Sequence, residues 1–218
     1  MKSVALLSGG LDSAVSLAQG RLETEPVLAL TFDYGQKAAV RECEAGARLS
    51  RHWGIEHRVV GLPFLAGITA TALVRGEVPE PAPDLLDDPE SAARTAEQVW
   101  VPNRNGLFIN VAAGFAESLG AGLIITGFNR EEAVTFPDNS PEFVAAANQA
   151  LAYSCARRVR IVSYTQRLAK VEIVQLGRRL GVPFQWVWSC YRGGLEPCGR
   201  CESCLRSLRA FERAGEAS

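Results

Sequence analysis

Two groups of residues in this 218-residue chain have types and spacings that do chemistry. The first is Leu7-Ser8-Gly9-Gly10-Leu11-Asp12-Ser13-Ala14. It lies between an apolar run and a helix-forming run, so a strand turns through glycines into a helix. That geometry aims several backbone N–H groups at one point, and with the helix dipole they form an anion site. The stretch lacks the Gly-Lys-Ser/Thr ending that would bring a lysine to a terminal phosphate. It is not Gly-x-Gly-x-x-Gly either, which argues against a dinucleotide. The plain alternative is a tight turn with a good helix cap; Asp12 beside the glycines, directly after the first strand, favours the anion site. The second group is Cys190, Cys198, Cys201 and Cys204. Four thiolates match Zn²⁺ in a closed tetrahedral site. Cys201 and Cys204 share a face if a helix begins there. With no histidine, carboxylate or open position in the set, the role is structural, and bound zinc contributes on the order of 10 kcal/mol to folding this tail. An iron–sulfur cluster is the rival, since thiolates at this spacing also hold iron.

The elements that position these groups alternate. Val4–Leu7 reads as a buried strand and Asp12–Leu22 as a helix; Pro26–Phe32 is a strand, 37–53 a helix, and Glu56–Leu62 a strand. This order predicts an α/β fold, three layers αβα around a five-stranded, mainly parallel sheet. Ligands in such sheets sit at the carboxyl ends of the strands, where the strand order reverses. Ser8–Ser13 and Asp33–Gln36 then lie along one edge, with Asp33 either a helix-start residue or a ligand.

Residues 63–100 break the rhythm. Pro79, Pro81, Pro83 and Pro89 argue against a long regular element, and the acidic residues favour a solvated loop over a substrate lid. Asn105 is the expected cap of a helix over Leu107–Leu119, with Arg104 at its head, free for a phosphate or carboxylate or held in a surface ion pair. Leu123–Thr126 is the fourth strand. It is followed by the polar cluster 127–132 and by Thr135–Ser140, where Asp138 either caps a turn or contacts substrate. A helix runs from Pro141 to about Cys155, Arg160–Ser163 is the fifth strand, and Leu168–Leu180 is a helix that Gly181 and Pro183 stop. Lys170, in its first turn, is either a solvated charge or a phosphate ligand. Phe128 and Phe136 either stack on a planar ligand or pack in the core. Cys43 and Cys155 are expected as buried thiols, and His52 and His57 as surface or core residues.

Residues 1–185 form the expected α/β domain and 186–218 the cysteine-bearing segment. A net charge of −1 does not suggest a bulk nucleic-acid or membrane binder. No apolar stretch approaches the length of a membrane span, and the N-terminus does not read as a signal peptide. Four of the six cysteines crowd into one short stretch, which fits a metal site in a reducing cytoplasm better than secreted disulfides.

The Ser-Gly-Gly-x-Asp-Ser loop resembles that of the ATP pyrophosphatases, the PP-loop superfamily with the adenine nucleotide alpha hydrolase-like (HUP) fold. The likeness extends through Phe32–Gln36, Pro102–Asn105, Phe136–Asp138 and Trp188–Tyr191 with its later cysteines, and it points to one branch, which serves queuosine and archaeosine precursor synthesis. The resemblance implies that Leu7–Ala14 bind ATP. Ser8, Gly9, Gly10, Asp12 and Ser13 would contact pyrophosphate, Asp12 near Mg²⁺, with Asp33, Gln36 and Asp138 as further nucleotide contacts. Asp12, Ser13, Arg104 and Lys170 are the expected catalytic residues. The implied substrates are 7-carboxy-7-deazaguanine, ammonia and ATP; the acid is adenylated, aminated to an amide, and dehydrated through a second adenylate to a nitrile. A homodimer is also implied. Many members carry Cys-Arg after the Pro-Asp, where this chain reads Asn139-Ser140, which leaves an amide-forming ligase on another carboxylate as the alternative. A tRNA thiolase of the same superfamily needs a sulfur-carrying cysteine and a basic surface. A zinc-bearing nucleic-acid binder would rest on Arg200, Arg206, Arg209 and Arg213, whose charge Glu196, Glu202, Glu212 and Glu216 nearly cancel.

Overall fold

The five strands assemble into one sheet in the computed structural model, which describes residues 1–216. β1 (Lys2–Leu6), β2 (Glu25–Asp33), β3 (Glu56–Gly61), β4 (Leu123–Thr126) and β5 (Arg160–Ser163) lie in the order β3-β2-β1-β4-β5. Every neighbouring pair is parallel. Parallel sheets are covered on both faces, so their strands need continuous apolar runs, and Leu28-Ala29-Leu30 and Leu123-Ile124-Ile125 supply them, fully or almost fully buried.

Side chains alternate between the two faces. Ala5, Ala29, Leu123 and Ile125 point to one layer, formed by α1 (Leu11–Glu23), α2 (Ala39–Trp53), α7 (Lys170–Arg179) and α8 (Glu202–Glu216). Val4, Leu28, Leu30, Ile124 and Ile161 point to the other, formed by α5 (Arg104–Ser118) and α6 (Pro141–Ser154). The strand order reverses at β1, so the crevice between the carboxyl ends of β1 and β4 is where this topology places a ligand. No helix among the described residues is long and apolar enough to cross a membrane.

Three expectations are corrected. Residues 63–100 are not merely a solvated loop: they hold α3 (Phe64–Ile68) and an 11-residue helix, α4 (Pro89–Val99). Pro89 stands in the first turn of α4, where a missing N–H costs nothing, and Asp88 caps that helix by accepting from Ser91 N at 2.8 Å. Leu65, Leu73, Val78, Leu86 and Val99 from this segment are all buried. Asn105 does not cap α5; it lies inside that helix, and Asn103 is the cap, at φ +52° in the left-handed region asparagine tolerates. Cys43 and Cys155 are half-buried rather than buried.

Candidate active site

The turn from β1 into α1 is built as the spacing predicts. Gly10 caps α1 without a side-chain hydrogen bond, so the first-turn amides are open to a ligand, apart from a long contact of Leu11 N with Ser189 Oγ at 3.4 Å. Gly9 sits at φ +78°, and a Cβ there would meet Ala45 Cβ at 2.7 Å and the Glu42 carbonyl at 2.8 Å. Only glycine lets α2 press against the loop. Ser8 and Ser13 hydroxyls lie 3.1 Å apart and line a cavity of about 240 Å³ with Leu7, Gly10, Leu11 and Asp12.

Across the loop stands a buried charge cluster. Lys170 is 6% exposed; its Nζ donates to Asp12 Oδ2 at 2.5 Å and to Glu132 Oε1 at 2.7 Å. Burial raises the Asp12 carboxyl, Lys170 pulls it back, the charges of Glu132 and Glu131 push it up again, and the balance lies at about 6. Burial also works against the charge on Glu132, but Lys170 outweighs it and holds that carboxyl below its ordinary value. Lys170 itself is held charged by its two carboxylate partners against the cost of burial. Asp12 Oδ1 is buried and has no hydrogen-bond partner among the described residues. An acceptor-only oxygen left so beside an anion site suits a divalent cation that travels with phosphates.

The far wall carries Arg104. Its Nη1 donates to the Tyr34 hydroxyl at 3.1 Å, and it forms no ion pair within 4.0 Å among the described residues. Burial opposes its charge, but Tyr34, Asp138 and Glu42 hold it protonated. Most of its planar fork is therefore free for an anion.

The cysteine cluster closes over the same edge. The Sγ atoms of Cys190, Cys198, Cys201 and Cys204 all lie within 4.8 Å of one another. Arg192 N and Cys198 N donate to Cys190 Sγ at 3.3 and 3.4 Å, and Cys201 N donates to Cys198 Sγ at 3.3 Å. Amides aimed at sulfur stabilise thiolates, so the set fits a structural Zn²⁺. The knuckle also holds the chain before it: Trp188 N donates to Gly9 O at 2.8 Å, while Trp188 Nε1 reaches Cys190 O at 2.9 Å.

A family model described as "Queuosine biosynthesis protein QueC" matches residues 2–215. The chain belongs to the QueC family. It is 61% identical over 216 residues to a 7-cyano-7-deazaguanine synthase of Desulforudis audaxviator, covering 99% of this chain and 98% of the relative. Identity to the protein of the same name from Pelotomaculum thermopropionicum is 58% over 217 residues, again covering 99% and 98%. The archaeal relative from Methanosarcina mazei, also a 7-cyano-7-deazaguanine synthase, is 43% identical over 220 residues, covering 99% and 95%.

In this QueC chain the fold gathers Leu7, Ser8, Gly10, Leu11, Asp12, Ser13, Arg104 and Lys170 around one cavity. Gly9 and Ala14 support the loop from behind; Gly9 O anchors Trp188 and Ala14 N donates to Gly10 O at 3.1 Å. Asp33, Gln36 and Asp138 do not line the cavity. Asp33 Oδ1 accepts from Gly35 N at 3.0 Å, a turn contact, and Asp138 Oδ1 accepts from Asn139 Nδ2 at 3.1 Å. Gln36 is 5% exposed and spends its amide on Phe32 O, Tyr34 N and Glu42 Oε2. Phe128 and Phe136 reach the cavity, but each also packs on another ring, Phe143 and Trp100 respectively. His57 Nε2 is paired with Thr31 Oγ1 at 2.8 Å, and His52 rests edge-on against Trp186. Sequence reasoning missed Glu132 as the partner of Lys170 and missed Glu42 altogether. For Glu132 the signal was its place in the polar cluster after β4; for Glu42 it was an acid in the first turn of a helix leaving the ligand edge.

Proposed function

We propose that this protein is an ATP-dependent ligase that converts 7-carboxy-7-deazaguanine and ammonia to 7-cyano-7-deazaguanine. The observation that carries this reading is full-length similarity, up to 61% identity, to 7-cyano-7-deazaguanine synthases. In this reading the loop amides of Ser8–Ser13 grip the outgoing pyrophosphate while a carboxylate oxygen attacks the α-phosphorus of ATP. The P–O bond to pyrophosphate breaks and an acyl adenylate forms. Ammonia adds to its carbonyl and AMP leaves, giving the amide. The amide oxygen attacks a second ATP in the same way, displacing pyrophosphate, and loss of both N–H protons and of that oxygen as AMP leaves the nitrile.

Fixed donors supply the stabilisation. The loop amides and the α1 dipole point at charge that grows on the leaving group, and they need no reorganisation when it does. Lys170 and Arg104 are the cations of the two walls, Lys170 toward the phosphates and Arg104 toward a phosphate or the acceptor's carboxylate. Mg²⁺, when bound with the triphosphate, offsets its negative charge, and Asp12 Oδ1 is the oxygen that would hold it. The cysteine cluster would hold Zn²⁺ and thereby fix Trp188 and Ser189 against the loop. Residues 1–185 act in this reading as the ATP-using body and 186–218 as the zinc-bearing segment, in a cytoplasmic homodimer. The test is to incubate the protein with the acid, ATP, Mg²⁺ and ammonium and to follow product mass and nucleotide. Nitrile with AMP is expected. An amide end product, or ADP, would overturn the reading.

A further inference from the structure

Three carboxylates line the cavity: Asp12, Glu42 and Glu132. Two of them are engaged by one lysine, since Lys170 holds both Asp12 and Glu132. Glu42 is held differently. Gln36 Nε2 donates to its Oε2 at 2.7 Å, and that amide is fixed in turn by Phe32 O at 2.9 Å and by Tyr34 N at 2.9 Å on its oxygen. The second oxygen, Oε1, accepts no hydrogen bond from any described residue. Burial and the charge of Asp33 push this carboxyl above its ordinary value against the pull of Gln36 and Arg104, and a ligand that donates to it favours its ionised form. Nearby, Phe108 stacks on Phe32 at 4.1 Å, and Tyr34 lies 5.9 Å from Phe108, so flat apolar surface stands beside the acid in the same wall.

We infer that Glu42 reads the guanine-type edge of the acceptor and that Gln36 positions it to do so. The inference rests on the function proposed above and deepens it. The chemistry that selects the edge is donor–acceptor matching. An ionised carboxylate offers only acceptors. The pyrimidine edge of a 7-deazaguanine offers a ring N–H beside an exocyclic amine, two adjacent donors. The corresponding edge of adenine offers one amine beside an acceptor nitrogen, which faces the carboxylate lone pairs and is repelled. Glu42 therefore separates the acceptor base from the base of ATP in a cavity that must receive both. It also gives Gln36 a reason to be buried beside the site without touching a ligand.

The test compares two acids under steady-state conditions: 7-carboxy-7-deazaguanine and the same acid without its exocyclic amine. A site built on that hydrogen bond should prefer the first by at least about 10²-fold in kcat/KM. In Glu42→Gln the preference should fall below about 10-fold, through the loss with the natural acid, with the KM for ATP kept within about 2-fold. A purely structural role for Glu42 would lower both acids alike and leave the ratio unchanged. Equal use of both acids by the unaltered protein would overturn the inference without any variant, so a Glu42→Gln that failed to fold would not shelter it. Retention of the full preference in Glu42→Gln, or a loss that falls on the KM for ATP, would overturn it too. Failure of the unaltered protein to make nitrile from the natural acid would instead remove the proposed function on which it rests.

Discussion

Lys170 Nζ stands 2.5 Å from Asp12 Oδ2, joining the first turn of α7 to the first turn of α1 across the mouth of the crevice. Both side chains are largely buried, at 8% and 15% exposure. Breaking such a pair from one side strands the other charge, at about 3–5 kcal/mol. Lys170→Met should lower stability in urea by that amount and abolish turnover. A variant as stable as the parent would contradict the pairing.

The burial of Asp12, which outweighs the pull of Lys170, sets a pH dependence. The Asp12 carboxyl lies at about 6, above the ordinary 3.8, chiefly because it is buried. The folded protein thus keeps a proton that the unfolded chain has lost. Its contribution to stability is fully present below pH 3.8 and is lost as pH rises through about 6. Nucleotide binding runs the other way, since only ionised Asp12 would hold Mg²⁺. Affinity for Mg²⁺–ATP should rise across pH 6 in titration calorimetry, and in Asp12→Asn that rise should vanish. Its persistence in the variant would assign the titration to another group.

Removing the metal should do more than loosen the tail. Because Trp188 and Ser189 bridge the cysteine knuckle to Gly9 and Leu11, chelation should abolish ATP binding as well as unfold 186–216. Stability lost with the ion should approach the order of 10 kcal/mol. Metal analysis of aerobically purified protein should give one zinc per chain, and a brown, iron-loaded protein would contradict the site.

Gly127 follows β4 directly and lies against the loop. A Cβ there would meet Ser13 N and Ser13 Cα, each at 2.6 Å, both backbone atoms that cannot turn aside. Gly127→Ala should displace the amides and cut turnover about 10²-fold while the chain stays folded. Normal kinetics in a folded variant would show that the loop tolerates the shift.

Much of this was legible because local rules and the global fold agree. Strands such as Leu123–Thr126 carry their apolar runs in sequence, and the Ser8–Ser13 turn and the four cysteines carry their spacing. What was not legible depended on contacts distant in sequence. Lys170 reads in sequence as either a solvated charge or a phosphate ligand, and nothing there shows its pairing with Asp12, 158 residues away. Gln36 looks like a ligand because it follows a strand at the ligand edge, yet the fold spends its amide on Glu42. Pro89 reads as a breaker by residue type, yet position within a helix decides whether proline harms it, and here it stands in the first turn behind the Asp88 cap.

The acidic segment before α4 is tied to α8. Asp87 accepts from Arg209 Nη1 at 2.7 Å and Nη2 at 2.9 Å, and hydrogen bonding by Arg209 holds its carboxyl below the ordinary value. That contribution is present above pH 3.8 and is lost as pH falls through the lower, folded-state value. Asp87 is 67% exposed, so Asp87→Ala should cost about 1 kcal/mol or less. Hydrogen exchange should nonetheless quicken over 83–99, and unchanged exchange there would show that Leu86 and Val78 hold the segment without the ion pairs.

In the proposed mechanism the crevice loop holds pyrophosphate while an oxygen of the acid takes the α-phosphorus. That transfer is tested most directly by following oxygen. With 7-carboxy-7-deazaguanine labelled with ¹⁸O at both carboxylate positions, mass spectrometry of the nucleotides should find the label in AMP, one atom in each of the two AMP molecules released per nitrile. Label in inorganic phosphate beside ADP, or in water with unlabelled AMP, would contradict the account.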